Sequence, residues 1–297
     1  MTQTDDPLGP YRGRLLGLAY RMLGSRSEAE DVLQDAYLRY AGANREAVRN
    51  PEAYFTTMVT RLCLDRLKAA RVRREVYVGP WLPEPVLDAD DLSPEKAAEI
   101  AADLSFALLL TLERLSRAER AAFLLHDVFD APFSEIAAAL GKSEAACRQL
   151  AARARRAVAA ARPGKRVPAE AHQALLERFA EAVASGDPSR LKTLLAADAT
   201  AVSDGGGVKI AALNPIRGAD RIARFLAGVV RKARAQNRLL RFRFADVNGE
   251  PGLLVYDGEA IEETISIDVA DGLIAAVYVV RNPEKLRGLD AHAAGPV

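Results

Sequence analysis

Within "APFSEIAAALGKSEAACRQLAARARRAV" the side chains of Arg148, Gln149, Arg155 and Arg156 carry guanidinium and carboxamide groups, which donate hydrogen bonds to phosphates and base edges. Helical spacing turns Cys147, Leu150, Ala151, Ala154 and Val158 inward and leaves those four outward with Ala152. A helix from about Phe133 to Leu140 precedes them, with Phe133, Ile136, Ala137 and Leu140 on one face. Gly141 supplies the tight turn and Ser143 the next N-cap. Glycine turn, cap and basic outer face together make a helix-turn-helix pattern whose second helix suits a major groove. An ordinary helical hairpin is the alternative.

A second set of groups has the opposite charge. Glu28, Asp31 and Asp35 fall on one helical stripe that would repel a phosphate backbone and suits a basic protein partner; a solvated helix face would look the same. Tyr54 and Phe55 lie beside a basic helix and could stack on unpaired bases, although Phe55 sits on the apolar stripe of its own helix. Farther on, Asp204, Tyr256, Glu262, Glu263 and Tyr278 could line a pocket. The histidines, His126, His172 and His292, lie outside the predicted strands, so acid–base catalysis is not expected and no cofactor is implied. Cys63 and Cys147 are far apart on apolar patterns and read as buried hydrophobes, with neither a disulfide nor a metal site.

The elements that must position these groups divide the chain. Its 297 residues, 49% of them hydrophobic, allow two or three domains, and the absence of a leader or of a long uncharged apolar run points to a soluble, cytoplasmic protein without membrane contact. The formal charge of +1 hides two basic blocks. One joins Arg61, Arg66, Lys68, Arg71, Arg73 and Arg74; the other runs from Lys142 to Arg166. Three helices are expected before residue 75, the second begun by Ser25 with Glu28 three residues on, the third by Asn50 and Pro51. Helices resume at about Pro94 and run to Val158, and a Pro/Gly/Lys/Arg hinge follows.

Beyond it the pattern becomes α+β. Two amphipathic helices are followed by strands whose turns are signalled by Asn248-Gly249, Asp257-Gly258 and Asp271-Gly272, giving a curved antiparallel sheet with helices on one side. Between the first two helical regions, "YVGPWLPEPVLDADDLSP" breaks every periodicity and reads as a semi-rigid linker whose second half is acidic. The boundaries are 8–75, a linker at 76–95, 96–162 and 169–290.

In this order, "LGSRSEAEDVLQDAYLRY", "NPEAYFTTMVTRLCLDRLKAARVRRE" and "LSRAERAAFLLHDVFDAPFSEIAAALGKSEAACRQLAARARRAV" resemble regions 2 and 4 of an extracytoplasmic-function RNA polymerase sigma factor. "WLPEP", "DGGG" at 204–207 and "NPEKL" at 282–286 resemble the SigJ-type subgroup, whose members carry a fused SnoaL-like cone. The resemblance implies that Glu28, Asp31, Gln34 and Asp35 meet the β′ clamp helices of core RNA polymerase, with the β flap as a further partner. It implies that the loop ending at Asn50 and the helix bearing Tyr54, Arg61, Asp65, Arg66 and Arg71 bind and open the −10 promoter element, and that Arg148, Gln149, Arg153 and Arg155 contact the −35 element. Many sigma factors have an asparagine where Leu62 stands, which is better read here as core. Trp81, Leu82 and Pro83 are expected to dock near Asp204, Gly205, Gly206 and Gly207 and near Asn282, Pro283 and Lys285. The third domain would then regulate the sigma domains by this contact or by a small-molecule ligand. The alternative is a DNA-binding regulator fused to a ligand-binding or enzymatic domain.

Overall fold

The computed structural model describes residues 7–42, 48, 50–87, 92, 103–161, 167–238 and 240–289, with the backbone alone at 70–75. They form two compact units. One takes residues up to Glu75 together with Ala89–Arg162; the other takes Val76–Asp88 together with Pro163 onward. The two predicted helical regions thus pack as a single unit, and the first half of the predicted linker packs with the α+β domain.

In the helical unit, α1 (Arg12–Leu23) stops where Gly24 adopts φ 71°, a left-handed position that costs glycine little. Ser25 caps α2 (Arg26–Ala41) by accepting from the Glu28 N–H at 3.2 Å, and Asn50 caps α3 (Pro51–Glu75) by accepting from Ala53 at 3.1 Å. Leu15, Leu18, Met22, Val32, Leu33, Phe55, Val59 and Leu62 form the buried contacts of this trio. The helix expected from Pro94 is interrupted. Residues 103–105 are non-helical and α4 (Phe106–Glu113) begins afresh, because the Ser105 hydroxyl accepts from the Leu108 N–H; the stretch 93–102 lies outside the described residues. A full capping box at Ser116 and Glu119 starts α5 (Arg117–Phe123), which runs into a π-helical turn at Leu124–Val128. Next come α6 (Phe133–Leu140) and α7 (Glu144–Ala161).

Arg120 locks these helices to the first trio. It is 3% exposed, donates to the Met22 carbonyl at 2.6 Å and pairs with Glu113 at 2.7 Å; burial pulls its guanidinium down to about 9. Arg14 does the same from the other side, donating to the Phe129 carbonyl at 2.5 Å.

The α+β unit runs α8 (Ala169–Ser185), α9 (Pro188–Leu194), β1 (Leu195–Asp204), β2 (Ile216–Arg217), α10 (Ala219–Ala235), β3 (Leu240–Val247), β4 (Glu250–Asp257), β5 (Ala260–Ala270), β6 (Leu273–Val280) and α11 (Pro283–Leu286). The sheet order is β2-β1-β6-β5-β4-β3. The sheet is mixed rather than wholly antiparallel as expected, because β1 joins β6 in parallel. The turns at Asn248-Gly249 and Asp271-Gly272 have both residues at positive φ, as a two-residue hairpin requires. In the third hairpin Asp257 pairs with Ala260, so the loop is Gly258-Glu259, one residue later than expected.

Strand alternation separates two buried faces. Ala201, Leu253, Val255, Ile265, Ile267 and Val277 pack with Leu176, Phe179, Leu191 and Ile222 of the helices. The opposite face, with Asp204, Leu254, Thr264, Ser266 and Val280, is buried too. Residues 77–87 and α11 cover it: Leu82 and Val86 are 0% and 1% exposed, and Val86 and Asn248 exchange hydrogen bonds of 3.1 and 2.7 Å. Among the described residues no helix is long and apolar enough to cross a membrane.

Candidate functional site

The helix-turn-helix is built as its pattern requires. Gly141 sits at φ 62°, Ser143 accepts from the Ala146 N–H at 3.2 Å, and Cys147, Leu150, Ala151, Ala154 and Val158 are all buried. Under α6 the buried side chains are Ile136 and Ala139, while Ala137 is only half-buried. Arg148, Gln149, Arg153 and Arg155 are all exposed on α7. The three arginines already have partners: Arg148 pairs with Glu144 at 2.7 Å and lies over the Phe133 ring, Arg153 pairs with Glu119 at 2.9 Å, and Arg155 pairs with Asp127. Exposed ion pairs of this kind contribute little to stability, so a phosphate can replace the carboxylate at small cost. Glu119 is the best held of the acids; its hydrogen bond from Ser116 and the nearby Arg153 keep its carboxyl below the usual range despite partial burial.

The residues expected at the −10 element are arranged less simply. Asn50 is an exposed cap, and Tyr54 is half-buried with its ring edge-on to Tyr40 and Phe55 at 6.1 and 5.9 Å. Asp65 is exposed; the side chain of Arg71 lies outside the described residues. Arg61 donates to the Ala138 and Ala139 carbonyls at 2.7 and 3.3 Å, serving the C-terminus of α6 within the helix-turn-helix. Arg66 lies against α2, bonded to Asp35 at 2.7 Å, Asp31 at 3.4 Å and the Glu28 carbonyl at 3.1 Å. The acidic stripe of Glu28, Asp31 and Asp35 is therefore partly neutralised, with Gln34 exposed beside it. Charge alone identified these cations but not the carbonyls and acids that hold them.

In the α+β unit, one carboxylate gathers residues far apart in sequence. Asp204, at the end of β1 and fully buried, accepts from the Tyr77 hydroxyl at 2.6 Å, the Leu82 N–H at 2.8 Å, the Gly206 N–H at 3.0 Å and the Lys285 ammonium at 2.7 Å. Lys285 also donates to the Leu82 carbonyl and sits 4.2 Å from the Trp81 ring centroid. Asn282 donates to Tyr77 at 2.9 Å and caps α11, which Pro283 begins. Pro83 follows directly in the buried run. Gly206 has φ 63°, and a side chain there would come within 2.5 Å of the Asn282 carboxamide, while Gly205 and Gly207 similarly press on Lys209 and Val78. The glycines serve close approach. Burial, with Asp204 adding to it, pushes the Tyr77 phenol up, so it stays a donor. Tyr77 was not singled out from sequence, and only its place at the start of the proline-rich ribbon hinted at it. Beside this clasp a cleft of about 310 Å³ is lined by Val78, Gly79, Ser203, Gly205, Gly207 and Leu213.

The remaining acids are held by cations. Glu262 bonds to Lys209 at 2.8 Å and to Arg281 at 2.7 Å, which lowers its carboxyl although burial works against them. Glu263 pairs with Arg281 at 2.8 Å, yet burial outweighs that and holds it above the usual value. Between the ordinary 4.5 and its raised folded value, the native state keeps a proton that the unfolded chain releases. Stability therefore falls as pH rises through that window. The expected result is that Glu263→Gln removes this fall: the Tm of wild type minus that of the variant declines as pH rises from about 4.5 and then levels.

Two family models fit the helical unit, Sigma-70 region 2 over residues 9–73 and Sigma-70 region 4 over residues 105–158. The chain belongs to the extracytoplasmic-function RNA polymerase sigma factors, a family of transcription initiation factors and not of enzymes. It is 40% identical over 288 residues to the sigma factor SigJ of Mycobacterium tuberculosis, an alignment covering 93% of this chain and 91% of that one. It is 31% identical over 290 residues to the probable sigma factor SigI of the same species, covering 96% and 95%. The crystal structure of SigJ superposes with a TM-score of 0.74 at 37% identity, covering 94% of this chain and 96% of that one.

Proposed function

We propose that this sigma factor binds core RNA polymerase through the face carrying Glu28, Asp31, Gln34 and Asp35, reads the −35 element with Arg148, Gln149, Arg153 and Arg155, and engages the −10 element from Asn50 and the α3 face bearing Tyr54, Arg61, Asp65, Arg66 and Arg71. On this reading Arg61 exchanges the Ala138 and Ala139 carbonyls for phosphates when promoter is bound. The third domain modulates these steps by holding the linker. Trp81, Leu82 and Pro83, seated against Asp204, Gly205, Gly206, Gly207, Asn282, Pro283 and Lys285, follow the end of α3 at Glu75 after only five non-helical residues, a short tether through which the seat would act on the −10 helix.

The observation that carries the reading is the exposed basic face of α7 on a correctly capped helix-turn-helix, in a chain aligned along almost its whole length with sigma factors. Arg148→Ala and Gln149→Ala are each expected to lose about 1–3 kcal/mol of discrimination between a −35 site and its mutated form, measured by competition binding. Binding to scrambled duplex should fall far less. Equal losses on both duplexes would mean that α7 does not read sequence.

A further inference from the structure

Residues 169 to 289 hold sixteen basic and sixteen acidic residues, yet nine of those bases and one of those acids, Asp220, fall between Arg217 and Arg243. The third domain is thus neutral in sum and strongly divided in charge, and the positive part is centred on α10. Along the solvent side of this helix run Arg221, Arg224, Arg231 and Lys232, all exposed, with the small residue Gly228 between them and Ala235 at the end. Arg224 pairs with Asp220. Arg221, Arg231 and Lys232 have no ion-pair partner among the described residues.

Helix stability does not account for this arrangement. Lys232 and Arg234 in the last turn complement the macrodipole, but Arg221 stands in the first turn, where a cation is unfavourable. The inner face, with Ile222, Ala223, Ala227 and Ala233, is buried and needs none of these charges. Nor does a lipid surface fit, since a membrane-bound helix presents its apolar face outward. Here the exposed apolar side chains, Phe225 and Val229, lie on one flank and the cations hold the centre. A line of guanidinium and ammonium groups with no bulky side chain at Gly228 in its middle, along a helix about 25 Å long, suits the regularly spaced phosphates of a duplex.

We propose that α10 of the third domain is an additional, sequence-independent contact for the DNA backbone, neutralising phosphates beyond those met by the helix-turn-helix. This rests on the chain's reading as a promoter-binding protein, which brings the third domain close to duplex.

The test uses the full chain and its variant Arg221→Gln with Arg231→Gln and Lys232→Gln, exposed changes that keep helix propensity; circular dichroism checks the fold. Binding to a promoter duplex and to a scrambled duplex of equal length is titrated against KCl. Each lost phosphate contact lowers the slope of log K against log salt by about 0.9, so the expected result is a slope smaller by roughly 2–3 on both duplexes. An unchanged slope on both overturns the proposal. So does an unchanged slope accompanied by lost binding to phosphatidylglycerol vesicles or to polyglutamate, which would assign the surface to another polyanion. Promoter preference is read in the same titrations. If no form prefers promoter over scrambled duplex while the slope still drops, the promoter reading fails and the backbone contact stands.

Discussion

Replacing Asp204 with alanine is expected to cost about 3–5 kcal/mol and to release residues 77–86 from the third domain. The pair it breaks is buried, with side-chain exposures of 0% for Asp204 and 11% for Lys285, and removing one partner of such a pair leaves the other charge uncompensated. The Tyr77 hydroxyl and the Leu82 and Gly206 N–H groups lose their acceptor in the same step. The single tryptophan, Trp81, reports the outcome: its emission should move to the red, and a protease should cut within 76–87 while the sheet stays protected. The double variant Asp204→Leu with Lys285→Met should recover much of the stability, because it removes both charges at once. Unchanged emission and proteolysis in Asp204→Ala would mean that the linker is held by apolar burial of Leu82 and Val86 alone.

A comparable loss, again about 3–5 kcal/mol, is expected for Arg120→Ala in the helical unit. Arg120 and Glu113 have side-chain exposures of 4% and 16%, and the guanidinium also supplies the donor for the Met22 carbonyl near the end of α1. Its removal weakens the packing of α5 on the first three helices while leaving each set its own core. Thermal unfolding of this unit should then separate into two transitions where wild type gives one. Arg120→Met with Glu113→Gln, which removes the charges together, should restore a single transition. A single, unshifted transition in Arg120→Ala would place the coupling elsewhere.

What could be read from sequence depended on how local the signal was. Gly141, Ser143 and the spacing of Cys147, Leu150, Ala154 and Val158 lie within one short stretch, and the helix-turn-helix follows from them. The hairpins followed from glycine turns, with the loop at Gly258-Glu259 displaced by one residue because strand pairing, not the Asp-Gly signal, sets the register. β1 was missed: "LAADATAV" is alanine-rich, and it becomes a strand only because β6, more than seventy residues later, accepts it in parallel. Ser105 was hidden as a cap by the apolar pattern on both sides of it. The clasp was legible only as a resemblance among three short motifs. That a single aspartate would collect Tyr77, Leu82 and Lys285 needed the fold, since the sheet brings together residues about 80 to 130 positions apart. Arg61 and Arg66 show the opposite limit, because their charge was plain while their partners, a helix C-terminus and an acidic stripe, belong to tertiary packing.

Promoter-directed initiation, with the linker seat expected to control it, is open to a direct test. Purified bacterial core polymerase, promoters selected from the host genome, and the full chain or its Asp204→Ala variant make up the deciding measurement. The expected result is initiation with the full chain that core alone does not give, and an altered yield with Asp204→Ala at equal occupancy of core. Failure of the full chain to bind core or to initiate on any selected promoter would contradict the account.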